Sequence, residues 1–261
     1  MQIILDGLVK LEHAVLALGM FDGVHIGHRV LLKKAKAIAV RRGVPLVACT
    51  FVNHPMQLIA PAKCPPMLST FDERAKLLAE LGVDMLYAMP FDKRVMNELP
   101  ECYVGELVRR FHPTDVVCGY NHSYGKQGKG TPALLMALGA ALHFQTVIVP
   151  KITLEGAEVS SSVVRSLLAC GNVARACEML GRPYERFATV AKVQGDRCEL
   201  VFAPNGKQAV AEGTYRVLGS WAGQTIPCIL RMENAQRGSC WPVGAVLPRD
   251  EVKIQYLVRR K

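Results

Sequence analysis

Two histidines separated by an isoleucine and a glycine carry the clearest chemistry in this sequence. They close the string Phe21-Asp22-Gly23-Val24-His25-Ile26-Gly27-His28. An apolar run, Ala14 to Leu18, and then Gly19 come before it. After it, Val30, Leu31, Leu32, Ala35, Ile38 and Ala39 recur at helical spacing. The order is strand, glycine turn, helix start. Backbone N–H groups are free at a helix start, and the helix dipole favours anions there. Two imidazoles at that place read as a phosphate clamp. Its donors can stabilise charge building on a phosphoryl group without covalent chemistry by the protein. Taken alone, the same residues also read as histidines that merely cap a helix.

Three further groups fit a phosphorylated or aromatic ligand. Asn53 and His54 follow the apolar run Pro45 to Phe51. Gly119-Tyr120-Asn121-His122-Ser123-Tyr124-Gly125 follows Val116-Val117-Cys118, and a basic glycine loop, Lys126 to Gly130, comes next. Glycines beside lysines suit a loop that closes over phosphates. Ser160, Ser161 and Ser162 open a helical pattern with Arg165 one turn along. Hydroxyls, free N–H groups and a guanidinium at that spacing can grip phosphate oxygens. Each group has a plainer reading, as a polar loop or a serine cap.

These groups need a scaffold, and the pattern supplies one. Apolar strands at 14–18, 45–51, 85–89, 116–118 and 145–149 alternate with amphipathic helical stretches. One helix opens near Ser69 and Thr70, shows Leu77, Leu78 and Leu81 as its apolar face, and ends at Gly82. Alternation of this kind predicts a mainly parallel sheet covered on both faces, with ligands beyond the carboxyl ends of the strands. Gly181-Arg182-Pro183-Tyr184 marks a boundary. Beyond it, short strand-like runs and a hairpin signal at Pro204-Asn205-Gly206 predict a small antiparallel β domain. The expected domains are 1–184 and 185–261.

Composition narrows the class. Half of the 261 residues are hydrophobic, as in a globular chain. No apolar run approaches the roughly 18 residues of a membrane span. The N-terminus lacks the pattern of a secretory signal. Nine scattered cysteines without CxxC pairs predict reduced thiols and a cytoplasmic location. The charge of +10 suits anionic partners. The basic residues are dispersed, so a nucleic-acid partner is not expected, and neither is a membrane.

The string from Gly19 to His28 resembles the first signature of the prokaryotic FAD synthetases, the adenylyltransferase half of bifunctional riboflavin kinase/FMN adenylyltransferases. These belong to the HxGH nucleotidylyltransferases. Val159 to Arg165 resembles the second signature, isoleucine-serine-serine-threonine-x-x-arginine. Phe51 to Pro55 is similar to a Phe-x-Pro-His-Pro segment, with Asn53 in place of the first proline. Gly119 to Gly125 is similar to a glycine-x-asparagine/aspartate-phenylalanine-x-phenylalanine-glycine segment, with His122 at the first aromatic and Tyr124 at the second. The resemblance covers about residues 10–184. It implies an α/β, Rossmann-like HxGH domain followed by a small antiparallel β-barrel-like domain. It also implies transfer of AMP from ATP to FMN, with Mg²⁺. His25, His28 and Arg165 are then the catalytic residues. Gly19, Phe21, Asp22, Gly23, Gly27, Asn53, His54, Asn121, Tyr124 and Ser160 to Ser162 bind the nucleotides. No protein residue is assigned to a metal.

The C-terminal part departs from the bifunctional relatives. Their kinase hallmark, proline-threonine-alanine-asparagine, is missing where Gln194-Gly195-Asp196 runs directly into Arg197-Cys198-Glu199. Glu212 to Val217 is similar to a strand of the kinase barrel. A shrunken barrel without riboflavin kinase activity is expected. The rivals are an HxGH transferase for another phosphorylated acceptor and a non-catalytic flavin-nucleotide-binding regulator.

Overall fold

The computed structural model describes residues 1–5, 9–244, 247–248 and 251–257. The chain divides into two compact units, residues 1–65 with 71–153, and residues 66–70 with 154–261.

The first unit is built on a six-stranded sheet: β1 (Gln2–Ile4), β2 (Ala14–Leu18), β3 (Leu46–Phe51), β4 (Met85–Met89), β5 (Pro113–Gly119) and β6 (Gln145–Val149). The spatial order is β1-β4-β3-β2-β5-β6, and every pairing is parallel. The helices are α1 (Ile26–Arg42), α2 (Met56–Ile59), α3 (Phe71–Glu80), α4 (Lys93–Asn97), α5 (Pro100–Phe111) and α6 (Pro132–Leu142). The central strand shows why the sheet is covered twice. Val15 and Ala17 pack with Leu31, Leu32, Ala35, Ala75 and Leu78 of α1 and α3. Ala14, Leu16 and Leu18 pack with Tyr103, Leu107, Phe111 and Leu135 of α5 and α6. Alternate side chains of one strand serve opposite faces, so a strand buried on both reads as continuous apolar sequence.

The second unit opens with a hairpin, β7 (Thr153–Leu154) and β8 (Ala157–Glu158), that spans the junction in sequence. Helices α7 (Ser161–Ala169) and α8 (Val173–Leu180) follow. A closed antiparallel barrel comes next: β9 (Tyr184–Gln194), β10 (Arg197–Phe202), β11 (Gly213–Trp221), β12 (Gln224–Met232), β13 (Arg237–Pro242) and β14 (Glu251–Tyr256), in the order β10-β13-β12-β11-β14-β9. Closure removes free edges. Ala188, Val190, Cys198, Leu200, Val217, Cys228, Leu230, Cys240, Val252 and Ile254 are buried, most of them at two-residue spacing along a strand. All nine cysteines are free thiols. Among the described residues no helix is long and apolar enough to cross a membrane.

The hairpin expected at Asn205-Gly206 is not one. Those residues lie in the connection from β10 to β11, while β10 pairs with β9 and β13. The local signal was sound: Gly206 has φ +71°, and Asn205 Oδ1 accepts from Lys207 N at 3.2 Å. Its neighbour is residue 67 instead. Met67 N donates to Gly206 O at 2.8 Å, and Gln208 N donates to Met67 O at 2.7 Å. In the barrel the two-residue hairpin turns fall at Gly195-Asp196 and Ala222-Gly223. Besides the two short strands of the β7–β8 hairpin, two strands were not anticipated. β1 is only three residues long, and β13 (RGSCWP) carries glycine, serine and proline.

Candidate active site

The loop after β2 bends sharply. Phe21 has φ 52°, Gly23 φ 72° and Val24 φ 41°. Left-handed backbone at a phenylalanine and a β-branched valine costs on the order of 1–3 kcal/mol each, and such strain persists only where surroundings over-determine it. The bend delivers His25 as the N-cap of α1, where its Nδ1 accepts from His28 N at 3.3 Å. The capping reading of His25 is thus met in the structure. With Nδ1 accepting, the neutral ring carries its proton on Nε2. The His25 and His28 rings stack at 3.7 Å and 17°, and Phe21 meets His28 edge-on at 5.3 Å. His28 Nδ1 is buried without a hydrogen-bond partner. Burial, then His25, then Arg74 hold His28 well below the ordinary imidazole range, so its ring is neutral at physiological pH. Asp22 is buried, and Gly27 sits in the first turn of α1.

β2 and β5 are neighbours whose onward connections run to opposite sides of the sheet, to β3 and to β6. In open α/β sheets such a reversal is where ligands bind, beyond the carboxyl ends of the strands. The histidine loop follows β2, and the Gly119 to Gly125 loop follows β5. In the latter, Asn121 is exposed. His122 stacks against Tyr124 at 5.6 Å, and its buried Nε2 has no partner. Burial pushes the His122 imidazole down to about 4 and the Tyr124 phenol up to about 12. The glycine-lysine loop is not the open strap its composition suggests. Lys126–Gly128 form a 3₁₀ turn, Tyr124 and Gly130 exchange two backbone hydrogen bonds, and a Cβ at Gly130 would lie 2.5 Å from the Tyr124 ring.

Asn53 and His54 stand beyond β3, as expected, with their side chains engaged locally. Asn53 Nδ2 donates to Phe91 O at 3.1 Å and its Oδ1 accepts from Phe91 N at 2.8 Å, a staple between the loops after β3 and β4. His54 Nδ1 accepts from Met56 N at 3.1 Å at the start of α2. In the second unit, Ser160 caps α7, its Oγ accepting from Val163 N at 3.3 Å. Ser161 and Ser162 form the first turn, and Arg165 Nε donates to Pro66 O at 2.7 Å. The predicted residues thus gather in two places: the carboxyl ends of β2, β3 and β5 in the first unit, and the start of α7 in the second.

One residue at the first place was missed. Arg74, on α3, has no exposed surface. It donates to Met20 O at 2.9 Å, Phe51 O at 2.8 Å and Val52 O at 3.2 Å. The signal was present, because Arg74 shares one helical stripe with Leu78 and Leu81. Among the described residues no group of three or more His, Cys, Asp or Glu could hold a metal.

Residues 9–163 match the family described as FAD synthetase. The chain belongs to that family. Over 184 residues it is 35% identical to the bifunctional riboflavin kinase/FMN adenylyltransferase of Listeria monocytogenes, covering 70% of this FAD synthetase family member and 58% of that protein. The Bacillus subtilis protein of the same name is 32% identical over 195 residues, covering 73% and 60%. A Listeria monocytogenes protein named FAD synthetase is 30% identical over 172 residues, covering 66% and 70%. The family member therefore spans about three fifths of the length of the bifunctional relatives it matches. A crystal structure titled macrolide-efflux protein from Streptococcus pneumoniae shares the fold. Its TM-score is 0.89 at 22% identity, covering 100% of this chain and 90% of that one.

Proposed function

We propose that this FAD synthetase family member is an ATP:FMN adenylyltransferase. An oxygen of the FMN phosphate attacks the α-phosphorus of ATP in line. The bond from that phosphorus to the β-phosphate bridging oxygen breaks, giving FAD and pyrophosphate. The observation that carries this reading is the stacked His25–His28 pair at the start of α1, within the residues that match the family.

The chemistry asked of the protein is positioning and charge stabilisation. His25 offers Nε2–H, and His28 offers a neutral imidazole in the first turn of α1. As phosphate oxygens approach, their negative charge favours N–H donation from both rings. Ser160, Ser161, Ser162 and Arg165 supply a second set of phosphate donors. Asn121 and Tyr124, on the loop after β5, serve FMN. Gly19, Phe21, Asp22, Gly23 and Gly27 shape the loop that receives the nucleotide, while Asn53 and His54 hold its neighbour. Imidazole and backbone N–H groups suit phosphate oxygens better than a hard cation, so Mg²⁺ would be held mainly by the nucleotide phosphates, its usual mode. There it would neutralise phosphate charge.

The reading extends to the whole chain. The adenylyltransferase work is assigned to residues up to 184, and the barrel is assigned no riboflavin kinase activity. The cytoplasm, where ATP and reduced thiols coexist, is the proposed location. Incubation with ATP, Mg²⁺ and either FMN or riboflavin, followed by separation of the flavins, tests the reading. FAD from FMN supports it. Pyrophosphate release only with another phosphorylated acceptor, or nucleotide binding without turnover, overturns it.

A further inference from the structure

Arg74 is a fully buried cation to which the mechanism above gives no task. Its two terminal nitrogens reach different loops. Nη1 holds Met20 O, after β2, and Nη2 holds Phe51 O and Val52 O, at the end of β3. Thr50 Oγ1 adds a second bond to Met20 O at 3.1 Å. The Arg74 guanidinium lies 5.4 Å from the Phe71 ring. Burial works against the Arg74 charge, and the Asp22 carboxylate works for it. Its carbonyl partners lie immediately before the strained Phe21–Val24 bend and immediately before Asn53. Burying a guanidinium among carbonyls is expensive, and packing α3 against the sheet would be served more simply by an apolar side chain.

We infer that Arg74 is a positioning residue, resting on the adenylyltransferase reading: it locks the loops after β2 and β3 into one piece and sets the place of the His25–His28 pair. A lysine keeps the charge but offers one nitrogen where two are used. A methionine keeps the bulk and loses both roles. The groups facing His28 are His25 and Arg74 as charges and the Phe21 ring as a wall, with Asp22 offsetting Arg74.

The test uses the full chain with Arg74→Lys and Arg74→Met, measuring kcat and KM for FAD formation, the NMR titration of the His28 ring, and thermal unfolding. In both variants kcat is expected to fall by about tenfold or more, the scale of one lost charge-assisted hydrogen bond at the reacting geometry. The His28 titration midpoint rises in Arg74→Met and stays low in Arg74→Lys. Folded variants with kcat within twofold of wild type overturn the inference. So do equal losses in both with the His28 midpoint unmoved, which mark simple packing. If neither variant folds, Thr50→Val decides: it removes only the second bond to Met20 O. A several-fold fall in kcat at unchanged melting temperature supports the lock, and an unchanged kcat overturns it. Wild-type protein that makes no FAD would sink the functional reading instead. MgATP affinity and the His28 titration would then still judge Arg74.

Discussion

Replacing His122 by phenylalanine isolates one buried titration. The His122 ring stacks on Tyr124, its Nε2 has no partner, and burial pushes its pKa from 6.5 down to about 4. The sign follows from the depressed folded value. Between pH 6.5 and 4 the unfolded chain binds a proton that the folded chain refuses, so stability is lost as pH falls through that window and is level above it. A fall from 6.5 to about 4 corresponds to roughly 3 kcal/mol. His122→Phe keeps an aromatic against Tyr124 and removes the titration. The quantity to measure is the difference between wild type and variant in urea stability across a pH series, because carboxylates titrate in both. Both tryptophans, Trp221 and Trp241, lie in barrel strands. Helical far-UV signal should therefore carry the effect, and tryptophan fluorescence should not if the two transitions separate. Equal pH dependence in wild type and variant would refute the buried, partnerless placement of this ring.

His28→Ala should lower kcat by about 10² or more, the scale of one lost transition-state donor, with FMN affinity little changed; stopped-flow or steady-state FAD formation reads it. Asn121→Ala should weaken FMN binding more than ATP binding in calorimetric titrations, and the reverse order would exchange the two substrate positions. Riboflavin with ATP and Mg²⁺ should yield no FMN. FMN formation abolished by cutting after Tyr184 would reveal a kinase site in the barrel.

Much of this molecule is legible in one dimension. Five of the six strands of the parallel sheet are read from apolar runs, because a strand buried on both faces is mostly apolar. The histidine loop is equally legible, since the turn and the helix start that hold His25 and His28 are local in sequence and lie within ten residues. The serine start of α7 is local for the same reason. Other features were decided only when distant segments met. Arg74 is one charge among several on α3, and its three carbonyl partners lie more than 20 residues away in sequence, after β2 and at the end of β3. Asn53 looked like a ligand-facing polar residue, yet its carboxamide meets the backbone of Phe91. The turn at Asn205-Gly206 was read correctly as a turn and wrongly as a hairpin, because pairing belongs to whichever strand arrives beside it. Propensity and periodicity act within a few residues. Carbonyl groups, buried charges and strand partners are satisfied across the fold, and only the tertiary structure can say by whom.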